Sequence, residues 1–155
     1  MSKSFQNGIT ILETLLTIAI ISILVAIILP QFSKMKENQV AKNSIGDVAS
    51  ALRSAQSKSL ASLDSSEYGV RLESDRVIIF KGKVFSEGAG DNEVTDIISP
   101  ASISNVTLNG VSATAGDIYF ERISGSPSKT GTITISTPSY TRIVTVSATG
   151  AVSLN

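Results

Sequence analysis

Hydrophobic and polar positions along this chain fall into three successive regimes. From Thr14 to Ser33 the residues are mostly Leu, Ile, Val and Ala, and none carries a formal charge. Those twenty positions, at about 1.5 Å rise per helical residue, cover about 30 Å, the hydrocarbon thickness of a bilayer. After Pro30 the apolar residues recur in steps of four and three: Ala41, Ile45, Val48, Leu52 and Ala55. That is one stripe of an amphipathic helix, with Lys42, Asn43, Asp47, Arg53 and Lys58 on its other side. From Tyr68 onward the period falls to two and β-branched residues take over.

The pattern predicts an α+β protein. One long helix has a membrane-type half over 9–29 and an amphipathic half over 30–63, and a β-rich head occupies 64–155. Pro30 has no amide donor and its ring meets the carbonyl of Ala26, so a kink is expected there. The helix is expected to fade after Leu63, where Asp64-Ser65-Ser66 reads as a loop. Tyr68 to Glu73 and Val77 to Phe85 read as a hairpin about Ser74-Asp75. Asp117 to Glu121 is a short strand that turns at Gly125-Ser126-Pro127. Thr132 to Ser136 alternates strictly, which predicts one buried and one wet face. Arg142 to Ser147 and Ala151 to Leu154 form a last hairpin around Thr149-Gly150. Segment 86–116 is rich in Gly, Ser, Asn and Ala, with short strands expected near Ile97-Ile98 and Val106-Thr107-Leu108.

Glu13 stands at the mouth of the apolar run. A charge at the centre of a membrane helix costs roughly 2.5–3.5 kcal/mol on insertion scales, and a carboxylate even at the edge of such a run is a candidate functional residue. The residues alone admit three ordinary readings of the segment. A cleavable secretory signal calls for an A-x-A-like site, and no small-x-small pair precedes Pro30 or Gln31. A buried helix calls for a larger soluble core than so short a chain provides. A plain signal anchor leaves Glu13 without a role.

Gly8-Ile9-Thr10-Ile11-Leu12-Glu13, followed by the apolar run, resembles the cleavage and methylation motif of type IV prepilins and type II secretion pseudopilins. Gly8 stands where those families carry the cleavage glycine, and Glu13 is the fifth residue counted from Ile9. Pro30 falls where they commonly carry a helix-kinking proline. Ile9 departs from their usual Phe or Met. The leader Met1 to Gly8, with Lys3 as its one cation, resembles the short-leader class. The order of motifs in the head resembles the GspH and FimT group of minor pseudopilins and minor pilins. The matching stretches are Tyr68-Gly69-Val70, then Asp117-Ile118-Tyr119-Phe120 with Gly125, then Arg142-Ile143-Val144-Thr145-Val146 with Gly150.

The resemblance implies a pilin fold, a long helix packed on a mostly antiparallel β head. It implies that prepilin peptidase cuts between Gly8 and Ile9 and that Ile9 is then N-methylated. Glu13 is implied to pair with the amine of a neighbouring subunit during assembly; pairing with its own amine one turn away is the alternative. A buried charge is tolerable only when paired, so either arrangement gives the carboxylate a purpose. The implied place is the inner membrane, single-pass, with the head outside the cytoplasm until the chain enters a pilus or pseudopilus. The implied partners are the peptidase, other pilin or pseudopilin subunits and membrane lipid. Charge does not argue for that topology, since Lys3 precedes the helix while Lys34, Lys36 and Lys42 follow it.

Charge and composition narrow the chemistry. The chain has 13 Lys and Arg against 13 Asp and Glu, so bulk charge selects no acidic partner. It has no His and no Cys. That removes Ser-His and Cys-His catalysis, imidazole metal ligation and disulfides. The serines show no Ser-Lys arrangement, so neither an enzyme nor a cofactor is expected. Asp91, Glu93 and Asp96 suggest a calcium loop but lack EF-hand spacing and read rather as a solvated turn. Phe80 to Phe85 interleaves Lys81 and Lys83 with apolar residues. That pattern suits a nucleic-acid strand or an edge strand protected by lysines. DNA-binding members of the resembled group carry a C-terminal Gly-Arg-x-Arg element. The corresponding Gly150-Ala151-Val152-Ser153 has neither cation, so nucleic acid is not the expected partner. The expectation is a structural minor pilin or pseudopilin. The alternatives are a DNA-binding minor pilin for DNA uptake, and a membrane-anchored binding head that never assembles.

Overall fold

Thr10 starts the first element. Its hydroxyl oxygen accepts the Glu13 N–H at 3.2 Å and its carbonyl accepts the Thr14 N–H at 3.2 Å, the geometry of a helix N-cap. From there α1 (Ile11–Leu60) runs for 50 residues in the computed structural model, which describes residues 9–155. Pro30 lies inside α1, which continues past it as one element.

Two compact units divide between Lys36 and Glu37. In the first, every described residue is exposed, including the whole apolar run. In the second, the five stripe residues Ala41, Ile45, Val48, Leu52 and Ala55 are all buried, with Ala49 and Ala51 widening the face. The amphipathic part of α1 from Glu37 onward therefore belongs with the head, whose core it helps to build.

α1 stops at Leu60, three residues before the sequence pattern suggests. Ser62, Asp64 and Ser65 take φ values of 51°, 50° and 54°, and left-handed backbone cannot continue a right-handed helix. A short 3₁₀ turn, Leu63–Ser65, occupies the expected loop. Ser59 is fully buried and ties this corner together. Its hydroxyl oxygen accepts the Tyr68 N–H at 2.9 Å, and its carbonyl accepts the Ser62 and Ile123 N–H groups at 3.0 Å.

Nine strands follow among the described residues: β1 (Tyr68–Leu72), β2 (Arg76–Lys81), β3 (Glu93–Asp96), β4 (Ser102–Leu108), β5 (Val111–Ala113), β6 (Gly116–Phe120), β7 (Gly131–Ser136), β8 (Thr141–Val146) and β9 (Val152–Leu154). They form a four-stranded sheet in the order β3-β2-β1-β6 and a five-stranded sheet in the order β5-β4-β7-β8-β9. Every pairing is antiparallel. The fold is α+β, a long N-terminal helix and an antiparallel β head. One core joins Val48, Leu52 and Ala55 of α1 to Leu72, Ile118 and Phe120 of the first sheet and Ile133, Ile135 and Val144 of the second.

The first hairpin forms, with Leu72 paired to Val77, but β2 ends at Lys81 rather than Phe85. Gly82 takes φ +100° there. β7 alternates as expected, with Ile133 and Ile135 buried. The last hairpin closes through the Gly150 N–H, which donates to the Ser147 carbonyl at 2.9 Å.

Segment 86–116 departs most from the sequence pattern. Ile97-Ile98 is not a strand; β3 lies just before it, at Glu93–Asp96. All four β3 residues are exposed, so backbone pairing to β2 makes this strand and no apolar alternation announces it. Ile97 instead turns inward, donating its N–H to the Asp75 carbonyl at 2.7 Å. The strand around Val106 is longer than expected, from Ser102 to Leu108, and β5 follows it. Asn109 and Gly110 join them with φ of 49° and 81°, the positive pair that a two-residue hairpin turn requires.

Candidate functional site

The candidate site is the first turn of α1. Thr10 and Glu13 stand as T-x-x-E, the spacing of a capping box. The half in which the Glu13 amide donates to the Thr10 hydroxyl is formed. Glu13 also sits at the positive end of the helix dipole, which favours a carboxylate there. Ile9 lies directly before the cap and is 78% exposed. Gly8 and Lys3 lie outside the described residues.

Other polar side chains in the following turns are engaged with their own backbone. Thr14 Oγ1 donates to the Thr10 carbonyl at 3.3 Å, Thr17 Oγ1 to Thr14 at 2.8 Å and Ser22 Oγ to Ile18 at 2.7 Å. Glu13 is the one formal charge between Ile9 and Lys34. An exposed carboxylate, held at a helix start on an apolar rod, can bind a cationic group. α1 is long and apolar enough to cross a membrane, and its apolar run is uncovered, which makes it a candidate membrane anchor. Pro30 falls near the far end of that run.

The other candidate residues are in the head. Lys81 Nζ lies 3.2 Å from Asp64 Oδ2. Lys83 Nζ lies 3.6 Å from both Glu67 and Glu121 and 5.5 Å above the Tyr119 ring. Both lysines of the Phe80 to Phe85 stretch are thus paired with the head's own carboxylates. Glu121, then Glu67, raises the Lys83 ammonium above its ordinary pKa. The hydrogen bond from Lys81, then that from the Tyr68 hydroxyl, holds Asp64 below the usual carboxylate range. Burial, then Asp64, pushes the Tyr68 hydroxyl up.

Asp91, Glu93 and Asp96 do not converge. Glu93 bonds to Lys58, and Asp96 sits at the other end of β3 opposite Arg76. Among the described residues no three acidic side chains gather as a metal-ligand set. Gly150 has a packing role: a Cβ there would lie 2.2 Å from Gln56 Nε2, and its φ is +80°. The residues after it enter the short strand β9.

The sequence reading missed the Thr10 cap, although T-x-x-E is its signal. It also missed the partners of Lys81 and Lys83, which come from the turn after α1 and the end of β6 and have no local signature. No protein-family model, no curated protein and no solved structure matches this chain. The class that fold and site define is an α+β protein with a candidate membrane-anchor helix and an antiparallel β head.

Proposed function

We propose that this chain is a structural minor pilin or pseudopilin of a type II secretion or type IV pilus assembly, matured by prepilin peptidase at Gly8–Ile9. One observation carries the reading. A lone carboxylate, Glu13, sits in the first turn of an uncovered apolar helix, four residues after Ile9. In a helical bundle that carboxylate needs a cation, because an unpaired buried charge is strongly disfavoured. The amine of Ile9 on a neighbouring subunit supplies one. Charge neutralisation and subunit register then become a single event. In this reading the helix anchors the chain in the inner membrane with its head outside the cytoplasm, and the stripe from Ala41 to Ala55 serves the head's own core. The chain is not an enzyme, and its partners are the peptidase, other pilin subunits and lipid.

Processing tests the reading directly. Mass spectrometry of the mature chain is expected to find N-methylated Ile9 at the terminus, and Gly8→Val to leave the precursor uncut in the membrane. An intact Met1 on the mature protein sinks the assignment.

The DNA-uptake reading is disfavoured by the ion pairs at Lys81 and Lys83 and by the cation-free stretch after Gly150. Phosphate contacts supply most non-specific affinity, typically about 10⁻⁴–10⁻⁶ M at physiological salt. A fragment from about Gln31 onward is expected to bind duplex DNA no tighter than roughly millimolar, judged on the same scale. Micromolar, salt-sensitive binding that vanishes in Lys81→Ala/Lys83→Ala overturns that expectation.

A further inference from the structure

The core of the head is open at one edge. In the β4–β5 hairpin Val111 stands opposite Leu108 and Ala113 opposite Val106, and residues directly opposite share one face of a sheet. Leu108 and Val106 are 7% and 1% exposed, yet Val111 on the same face is 70% exposed. The core-side face of the second sheet therefore extends one strand beyond what covers it. Beside β5 lies a cavity of about 330 Å³ lined by Val106, Leu108, Val111, Ala113 and Gly116, with Lys129 also at its wall. A Cβ at Gly116 would lie 2.9 Å from Leu108 Cδ1 and 3.0 Å from Val106 Cγ1.

β5 is also an edge without charge or proline, guarded only by its shortness of three residues. It pairs with β4 on one side and with no other strand among the described residues. Edges are ordinarily blunted by shortness, charge, proline or a bulge. The run from Ile97 to Gly116 carries no charge, and its one proline, Pro100, precedes β4. The edges of the first sheet differ. β3 carries Glu93 and Asp96, and β6 is met by Pro127 and by the Ser128 N–H, which donates to the Tyr119 carbonyl at 2.8 Å. Lys58, Lys81 and Lys83 each pair with a carboxylate, whereas exposed Lys129 has none at ion-pair distance among the described residues.

We propose that β5 and this cavity bind an extended segment of a partner protein, which adds to the five-stranded sheet as a sixth strand. Main-chain hydrogen bonds to the free edge hold the segment, and alternate side chains set specificity. The cavity takes an apolar side chain, and the uncompensated ammonium of Lys129 selects a carboxylate beside it. The inference needs only the head and stands whether or not the chain enters a fibre.

The test uses the full chain in lipid nanodiscs and two labelled, C-terminally amidated peptides, Thr-Val-Thr-Asp-Thr and its twin with Lys in place of Asp, which place the apolar and the charged side chain on one face of a strand. The acidic peptide is expected to bind at least tenfold tighter than the basic one and to slow hydrogen exchange at Val111–Ala113. Lys129→Glu, at an exposed position, reverses the preference, and Ala113→Trp abolishes binding by filling the cavity. Equal affinities, no binding by either peptide up to millimolar concentration, or unchanged exchange at β5 overturns the proposal. So does a dimer in sedimentation that Ala113→Pro dissolves, because the occupant is then a second copy of the chain.

Discussion

Glu13→Ala is expected to reach the membrane and to be cleaved as the parent chain is, yet to be absent from fibres. Insertion is at least as good, because an apolar residue replaces a charge at the edge of the apolar run; at the centre of a span such a charge costs roughly 2.5–3.5 kcal/mol. The helix start survives, since the bond to the Thr10 hydroxyl comes from the Glu13 backbone amide. In the proposed assembly, what is lost is the partner of the Ile9 amine. Leaving one member of a buried ion pair alone costs about 3–5 kcal/mol, a factor of at least a hundred in subunit association. Thr10→Ala is the matching control: it removes a cap worth about 1 kcal/mol but keeps the carboxylate, so it is expected to assemble. Sheared-fibre fractions and co-purification with other subunits read both outcomes. Assembly of Glu13→Ala at parental levels removes the ion-pair account.

The second large effect lies in the core. Phe120→Ala is expected to destabilise the head by about 3–5 kcal/mol, the usual cost of emptying a buried aromatic site. Phe120 is fully buried at the end of β6 and is paired with Tyr68. Domains of this kind have only about 5–15 kcal/mol in total, so the variant lies near the edge of folding. Phe120→Leu keeps most of the volume and is expected to lose much less. Urea unfolding of the two variants, followed by circular dichroism, separates them. A loss below about 1 kcal/mol for the alanine variant, far short of the normal cost, means that the first sheet does not depend on this ring.

Much of the architecture was legible because it is periodic. The apolar run, the Ala41 to Ala55 stripe and the alternation in β7 each repeat with a helical or strand period, and each lies where its period places it. Ser62 shows where that legibility stops. Helix propensity carries no term for the left-handed turn that ends α1 at Leu60, and buried Ser59 holds that corner through bonds to Tyr68 and Ile123. β3 was illegible for another reason. It is exposed along its whole length, so only its pairing with β2 defines it. The β4–β5 hairpin had a readable mark in Asn109-Gly110, the dipeptide that favours positive φ at both positions.

By itself the sequence determined the long helix, the switch to a β head, the neutral charge and the position of Glu13 relative to Gly8 and Ile9. These are local properties, set by residue type and short-range spacing. Tertiary structure alone decided that Lys81 and Lys83 are paired, that Asp91, Glu93 and Asp96 make no three-carboxylate set among the described residues, and that β5 is left uncovered beside a cavity. Those outcomes join residues distant along the chain, such as Lys83 and Glu121. Charge pairing and edge exposure depend on which strands meet, and backbone hydrogen bonds between strands leave no pattern in the side chains.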